Sequence, residues 1–150
     1  MNINWTLKAF SELDPFTLYA ILKLRSEVFV VEQNCVYLDL DDKDQGSHHL
    51  YGIIGDDLVA YVRILPPGLA YENLSSIGRV VSSPAYRRTG AGRLLMSKAI
   101  QETKILYPSF DIKIGAQLYL LDFYSSFGFQ STGDSYLEDG IPHIHMILTN

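Results

Sequence analysis

A glycine-rich turn between an apolar strand and a long helix constrains this chain more than any other feature. The run Arg87-Arg88-Thr89-Gly90-Ala91-Gly92 follows the apolar stretch Ile77-Gly78-Arg79-Val80-Val81 and opens a long amphipathic segment. A strand, a tight turn and a helix in that order point to an α/β arrangement, with the helix packed back on its sheet. The first N–H groups of a helix have no intrahelical partner, and the helix dipole adds partial positive charge there. The turn is therefore an anion site, most naturally for a phosphate or pyrophosphate, with Arg87 and Arg88 adding full charge. Glycine also accepts positive φ without strain, so the same six residues equally suit a plain chain reversal.

Composition narrows the setting. The chain has 150 residues, 47% of them hydrophobic, which suits one domain with a real core rather than a disordered chain. No apolar run approaches the roughly 20 residues needed to span a bilayer, so no membrane association is expected. The start Met1-Asn2-Ile3-Asn4-Trp5 has neither the basic nor the apolar part of a signal segment. The single cysteine, Cys35, has no internal partner for a disulfide, and a cytoplasmic location is expected. Net charge is −5, against nucleic-acid binding, which needs a basic face. Basic residues gather around Arg79, Arg87, Arg88 and Arg93, which suits a small anionic ligand.

Along the chain, Trp5, Leu7 and Ala9 alternate with polar residues, so residues 3–9 read as a strand. Asp14-Pro15 starts a helix that runs to about Val31. Asn34 to Ser47 reads as an acidic, solvated loop. Leu50–Ile54 and Leu58–Leu65 form a hairpin around Gly55-Asp56-Asp57, and Ser75–Val81 is the next strand. Thr89–Tyr107 is the long helix, with Leu95, Met96, Ala99 and Thr103 on one face. Asp111–Ala116 is a strand, Leu120–Phe127 a short helix closed by Gly128, and Phe129–Thr132, Ser135–Leu137 and His143–Leu148 are strand-like. The order β-α-β-β-β-α-β-α-β-β implies one α/β domain, residues 1–150, around a mixed sheet.

The pattern resembles the GNAT acetyltransferase family. Arg79-Val80-Val81-Ser82-Ser83-Pro84, the turn Arg87 to Gly92 and the helix start Arg93-Leu94-Leu95-Met96 match that family's acetyl-CoA-binding block. Ile114-Gly115-Ala116-Gln117 followed by Phe123-Tyr124-Ser125-Ser126-Phe127-Gly128-Phe129 looks like its later strand, helix and F-Y-x-x-x-G-F ending. Arg25 to Cys35 and Glu138 to Ile144 are similar to the ElaA-like subgroup. The resemblance implies a GNAT fold: a mixed, mostly antiparallel twisted sheet flanked by helices. It also implies an acetyl-CoA-dependent N-acetyltransferase acting by direct transfer to a primary amine of a small molecule or peptide. A homodimer is among the assemblies it allows. The alternatives are an acyl-CoA-binding module without catalysis and a plain nucleotide binder.

By that resemblance the N–H groups from Arg88 through Thr89, Gly90 and Ala91 to Gly92 hold the CoA pyrophosphate, beside Arg87. The strand edge at Val80, Val81 and Ser82 pairs with the pantetheine arm like an added strand. A backbone N–H near Val80 or Val81 faces the thioester oxygen. Tyr124 matches the tyrosine that serves the leaving thiolate, with Tyr119 as a second donor without a motif. Gln117 stands where the family often has Asn, and an amide contact to CoA is expected there. An alkylamine has a pKa of about 10.4, so a base must take its proton. The candidates are Glu32, Glu72, Glu138, Asp139, His143 and His145, with His143 and Glu32 first because they lie in the ElaA-like segments.

Other constellations are weaker. Cys35, His48 and His49 fit no common zinc spacing, and adjacent residues on a strand face opposite sides, so no metal is expected. Asp39 to Asp44 lacks the order of an EF-hand loop. It reads first as a solvated loop and second as an attractor of a cationic acceptor. A dinucleotide fingerprint fails because Leu95 stands where its third glycine belongs.

Overall fold

The computed structural model describes residues 2–150. Seven strands form one sheet: β1 (Asn4–Ala9), β2 (His48–Ile54), β3 (Asp57–Leu65), β4 (Ser75–Ser82), β5 (Ile112–Gln117), β6 (Gln130–Glu138) and β7 (Ile141–Leu148). Their order is β1-β2-β3-β4-β5-β7-β6, and every pairing is antiparallel except β4 with β5. A parallel pair needs a crossover, supplied here by α2 (Ala91–Leu106). α2 lays Leu95, Met96 and Ala99 on one face of the sheet, against Leu50, Val62, Ile77 and Met146. α1 (Pro15–Arg25) covers the other face, where Ile21 and Leu24 pack with Tyr51, Tyr61 and Val81. β3 is buried on both sides from Val59 to Leu65, as its near-continuous apolar run demands.

Local chemistry sets the boundaries. Asp14 caps α1, its Oδ1 accepting from Thr17 N–H at 2.8 Å, and Pro15 occupies the first helical position. The helix does not stop at Arg25. It widens into a π-helical segment, Ser26–Glu32, which ends with Gln33 N–H donating to Val28 C=O and Cys35 N–H to Val30 C=O. α2 begins at Ala91 rather than Thr89, because Arg88 (φ 61°) and Gly90 (φ 88°) are left-handed and no helix runs through them. The stretch expected as two pieces, Phe129–Thr132 and Ser135–Leu137, is the single strand β6, with a register irregularity between Thr132 and Tyr136. The short helix narrows to α3 (Leu121–Ser125), preceded by a 3-10 turn, Leu118–Leu120.

The acidic segment corrects the sequence reading most. It is not a solvated loop. Asp39 and Asp44 are buried, and with Asp41 they pair with three arginines from three elements. Asp39 Oδ2 accepts from Arg25 Nε at 2.8 Å, and Asp44 Oδ1 accepts from both Arg25 Nη1 (2.8 Å) and Arg63 Nη1 (2.9 Å). Asp41 takes Arg63 through both carboxylate oxygens, at 2.7 and 2.6 Å. Arg79 Nε lies 2.8 Å from Asp39 Oδ1, within ion-pair distance but without hydrogen-bond alignment. Buried charges persist only when paired and hydrogen-bonded, and here both conditions are largely met. These aspartates are therefore committed internally and are not a lure for a cationic acceptor. Arg79 likewise faces aspartates, not a ligand anion.

Candidate active site

Pairing between β4 and β5 is confined to Ser75 with Ile112 and Ser76 with Lys113. Beyond Ser76 the two strands part. The edge of β4 that faces β5 then carries no ladder, and its N–H and C=O groups stand free for an added chain. A cleft of about 900 Å³ occupies the gap. Val80, Val81 and Ser82 line it from β4, Gln117 from β5, Tyr124 from α3 and His143 from β7. Arg87 and Glu32 line it as well. The turn from Arg88 to Gly92 continues from Arg87, just outside this lining.

That turn has the features of an anion cradle. Leu94 N–H is the donor that reaches the Gly90 carbonyl (3.1 Å), and no side chain caps the helix, so the N–H groups of Ala91, Gly92 and Arg93 have no intrahelical acceptor. Gly90 is required by its φ of 88°. Gly92 is not: its φ is ordinary, and a Cβ there would meet nothing within 4 Å. Neither backbone nor packing demands glycine at 92, and its effect is to leave the space above the N–H groups clear. A phosphate fits such a nest. Arg93 ties the turn to α3: its guanidinium lies 4.5 Å from the centre of the Phe127 ring, and Nη1 donates to Ser126 Oγ at 3.0 Å.

Arg87 is already engaged. Its Nη1 and Nη2 donate to the two oxygens of Glu32 at 2.8 and 2.5 Å. Hydrogen bonding from Arg87 holds the Glu32 carboxyl below the usual carboxylate range, against the small penalty of burial. Such a carboxylate is a weak proton acceptor, which counts against Glu32 as a base. Two further contacts lie just beyond Glu32. The side-chain amides of Gln33 and Gln117 exchange hydrogen bonds at 3.3 and 3.4 Å, and Cys35 Sγ donates to Asp139 C=O at 3.4 Å. Residues 32–35 thus run as a strap from the glycine turn, past the end of β5, to the β6–β7 turn.

Tyr124 is both core and site. Its ring meets Phe123 and Phe129 edge-on, at 5.2 and 6.1 Å between centroids. Its hydroxyl has no hydrogen-bond partner among the described residues, and Tyr124 is one of the residues that line the cleft. Burial pushes the phenol up to about 12, so it stays protonated and is able to donate. Tyr119, the alternative donor, also lines the cleft but is largely exposed.

Register places Gln117, His143 and Tyr136 side by side across β5, β7 and β6. Tyr136 stacks on His143 (5.8 Å, 27°) and lies 4.6 Å from His145. His143 Nδ1 is 2.7 Å from the Ile141 carbonyl, which only accepts, so Nδ1 carries the proton in the neutral ring. Nε2 then holds the lone pair, 3.4 Å from Glu138 Oε2. In the neutral ring Nε2 is therefore the nitrogen able to accept a proton. Of the other bases considered, Glu138, Asp139 and His145 share this wall, whereas Glu72 does not line the cleft.

Two features escaped the sequence reading. One is the ion network behind β4, signalled only by Arg63 inside the apolar run Tyr61-Val62-Arg63-Ile64-Leu65, since a buried guanidinium needs a buried carboxylate. The other is the Tyr71, Tyr136 and His145 wall, for which the sequence held no local sign. Among the described residues no cluster of three or more His, Cys, Asp or Glu could hold a metal ion, and no helix is long and apolar enough to cross a membrane.

Comparison with known proteins agrees with this geometry. The family model described as an acetyltransferase (GNAT) domain matches residues 24–150. A UPF0039 protein of Synechocystis sp. is 45% identical over 98% of this chain and 96% of its own length. Protein ElaA of Escherichia coli is 45% identical over 96% of this chain and 95% of its own. The crystal structure of E. coli ElaA superposes with a TM-score of 0.91, covering 97% of this chain and 99% of that one. An acyl-CoA N-acyltransferase from Pseudomonas aeruginosa superposes with a TM-score of 0.94 at 41% identity, covering 99% of this chain and all of that one. With its parted strands, its uncapped glycine turn and these relatives, the chain belongs to the GNAT acetyltransferase family, alongside the ElaA proteins.

Proposed function

We propose that this protein transfers an acetyl group from acetyl-CoA directly to a primary amine of a small molecule or peptide. The observation that carries the reading is the separation of β4 from β5 after two residue pairs, with a ligand-ready glycine turn at the end of β4. The relative from P. aeruginosa, described as an acyl-CoA N-acyltransferase, supports the donor. Bound acetyl-CoA supplies an activated thioester.

The chain's own groups meet the remaining needs. Backbone N–H groups from Arg88 to Gly92 hold the pyrophosphate. The free edge at Val80, Val81 and Ser82 pairs with the extended arm of the donor, and an N–H there faces the thioester oxygen, where a preorganised donor is worth about 2.7–4 kcal/mol. Tyr124 Oη hydrogen-bonds to the sulfur as it takes up charge. His143 Nε2 accepts the proton of the attacking amine. Gln117 reaches the donor once its bond to Gln33 opens.

The test is release of free CoA thiol from acetyl-CoA across polyamines, amino acids, aminoglycosides and peptides. Acceptor-dependent release in the wild type, lost by about 10²-fold or more in His143→Gln, is expected. Tight acetyl-CoA binding without release for any amine would make the chain a binding module instead.

A further inference from the structure

β4 carries an irregularity at the point where it becomes the wall of the cleft. Ser82 and Val81 stand opposite Ala60 and Tyr61, and Gly78 stands opposite Arg63, so Arg79 and Val80 together face Val62 alone. This is a β-bulge, and Arg79 adopts a left-handed φ of 53° within it. The bulge re-aims the two valines after it. Ile77 and Val80 point to the α2 side and Val81 to the α1 side, where it joins Ile21, Leu24 and Tyr61. If the strand ran through Arg79 with regular alternation, Val80 and Val81 would exchange faces.

A side chain longer than glycine is disfavoured in the left-handed region, and arginine has no local means of relieving this. The relief is distant. Arg79 Nη2 donates to the Asp39 carbonyl at 2.9 Å and to Asp41 Oδ2 at 3.3 Å, and its guanidinium lies 5.8 Å from the Tyr37 ring. Asp39 is held in turn by Arg25 of α1, and Asp41 by Arg63 of β3. The anchor is therefore fixed from two other elements and is not free to follow Arg79.

We infer that Arg79 is a positioning residue for acyl transfer: its guanidinium, clamped by Asp39 and Asp41, holds the left-handed bulge and so sets the backbone of Val80 and Val81 toward the donor. This rests on the proposed use of that backbone to hold acetyl-CoA. Strain at one residue is offset by charge pairs from a distant loop, and the benefit falls on the next two residues.

A double-variant cycle tests it, because glycine adopts φ 53° without strain. The variants are Arg79→Ala, Arg79→Gly, Asp41→Asn and Arg79→Gly with Asp41→Asn. Two quantities are measured: kcat for acetyl transfer, and the backbone amide NMR shifts of Val80, Val81 and Ser82 in the ligand-free protein. Arg79→Ala should move those amides and lower kcat about tenfold to hundredfold, the cost of a misplacement near 1 Å. Arg79→Gly should keep both near wild type. Asp41→Asn should move the amides in the wild-type background and leave them still in the Arg79→Gly background, a coupling that general destabilisation does not produce. Affinity for CoA should follow the amides, weakening where they move and holding where they do not, because the same backbone pairs with the pantetheine arm. If Arg79→Ala and Arg79→Gly behave alike, or if Asp41→Asn acts equally in both backgrounds, the inference is overturned. Should the wild type transfer no acetyl group to any amine, the functional proposal fails, and the amide cycle still decides the role of Arg79. If Arg79→Ala does not fold, the Asp41→Asn comparison decides it alone.

Discussion

Asp44→Asn is the sharpest probe of how the acidic segment is held over the sheet. Asp44 is 5% exposed, and one of its oxygens accepts from two buried guanidiniums. Its backbone carbonyl accepts from His49 Nε2 at 2.9 Å, while His49 Nδ1 accepts from the Tyr61 hydroxyl at 2.7 Å. Removing one partner of a buried ion pair costs about 3–5 kcal/mol, because the other charge is left unmatched. Here the loss is softened, since Arg25 keeps Asp39 and Arg63 keeps Asp41. The cost should therefore sit near the lower end, about 3 kcal/mol, against a total stability of about 5–15 kcal/mol for a typical domain. In thermal unfolding that is about 6–12 °C for a chain of this size. In urea, the midpoint should fall with the slope unchanged. Asp56→Asn, at the exposed tip of the β2–β3 hairpin, is the control and should stay within about 0.5 kcal/mol. A change at Asp44 no larger than at Asp56 would refute the claim that the network holds residues 33–47 in place.

The same carboxylates fix the sign of the acid response. Burial opposes the ionisation of Asp41 and Asp44, but hydrogen bonds and charge from the arginines outweigh it, so both are held below the usual carboxylate range. Their contribution is fully present above the unfolded value of about 3.9 and is lost as pH falls through their folded values. The acid limb of the stability curve should therefore be shallower in Asp44→Asn than in the wild type, measured by urea midpoints from pH 6 down to about 2. Gly92→Val should leave thermal stability unchanged and weaken CoA binding about tenfold to hundredfold, the loss of one charge-assisted hydrogen bond; unchanged affinity by calorimetry removes the turn from the pyrophosphate grip. Glu32→Gln frees Arg87 from an exposed ion pair worth about 0.2–1 kcal/mol, so CoA should bind up to about fivefold more tightly at low salt, with the gain fading as salt rises. Weaker binding in Glu32→Gln would mean that Glu32 orients Arg87 rather than competing for it. Tyr124→Phe should lower kcat about 10²-fold while CoA affinity holds; equal turnover excludes the hydroxyl from the reaction.

What was legible in the sequence was what local pattern encodes. The hairpin around Gly55, the cap at Asp14, the amphipathic face of α2 and the glycine turn all rest on contacts within a few residues, and the structure has them where the pattern puts them. Two motifs far apart in sequence, at Arg87–Gly92 and Phe123–Phe129, meet through Arg93 on Phe127, which is why they were informative together. The acidic segment misled for the opposite reason. Surface loops and buried ion networks share a composition, and only the pairing of Asp39, Asp41 and Asp44 with arginines from three elements distinguishes them. The bulge at Arg79 was signalled only by its neighbour Gly78, since a glycine inside an apolar strand run marks a candidate bulge, while arginine itself carries no such sign.

The two-pair junction between β4 and β5 has a mechanical consequence. A full ladder would weld the β1–β4 half of the sheet to the β5–β7–β6 half, and prising them apart would break a row of backbone bonds at once. Here the ladder ends at Ser76 and Lys113, and the far side of the opening is bridged by the side chains of Glu32 and Gln33 and the thiol of Cys35. Neutral bonds of this kind contribute about 0.5–1.5 kcal/mol each and the exposed ion pair no more, so they yield one at a time. The cleft is a jaw with a stiff hinge and a light clasp. Across the opening itself the clasp is lighter than the ladder it replaces, while the core shared under α2 still ties the two halves together.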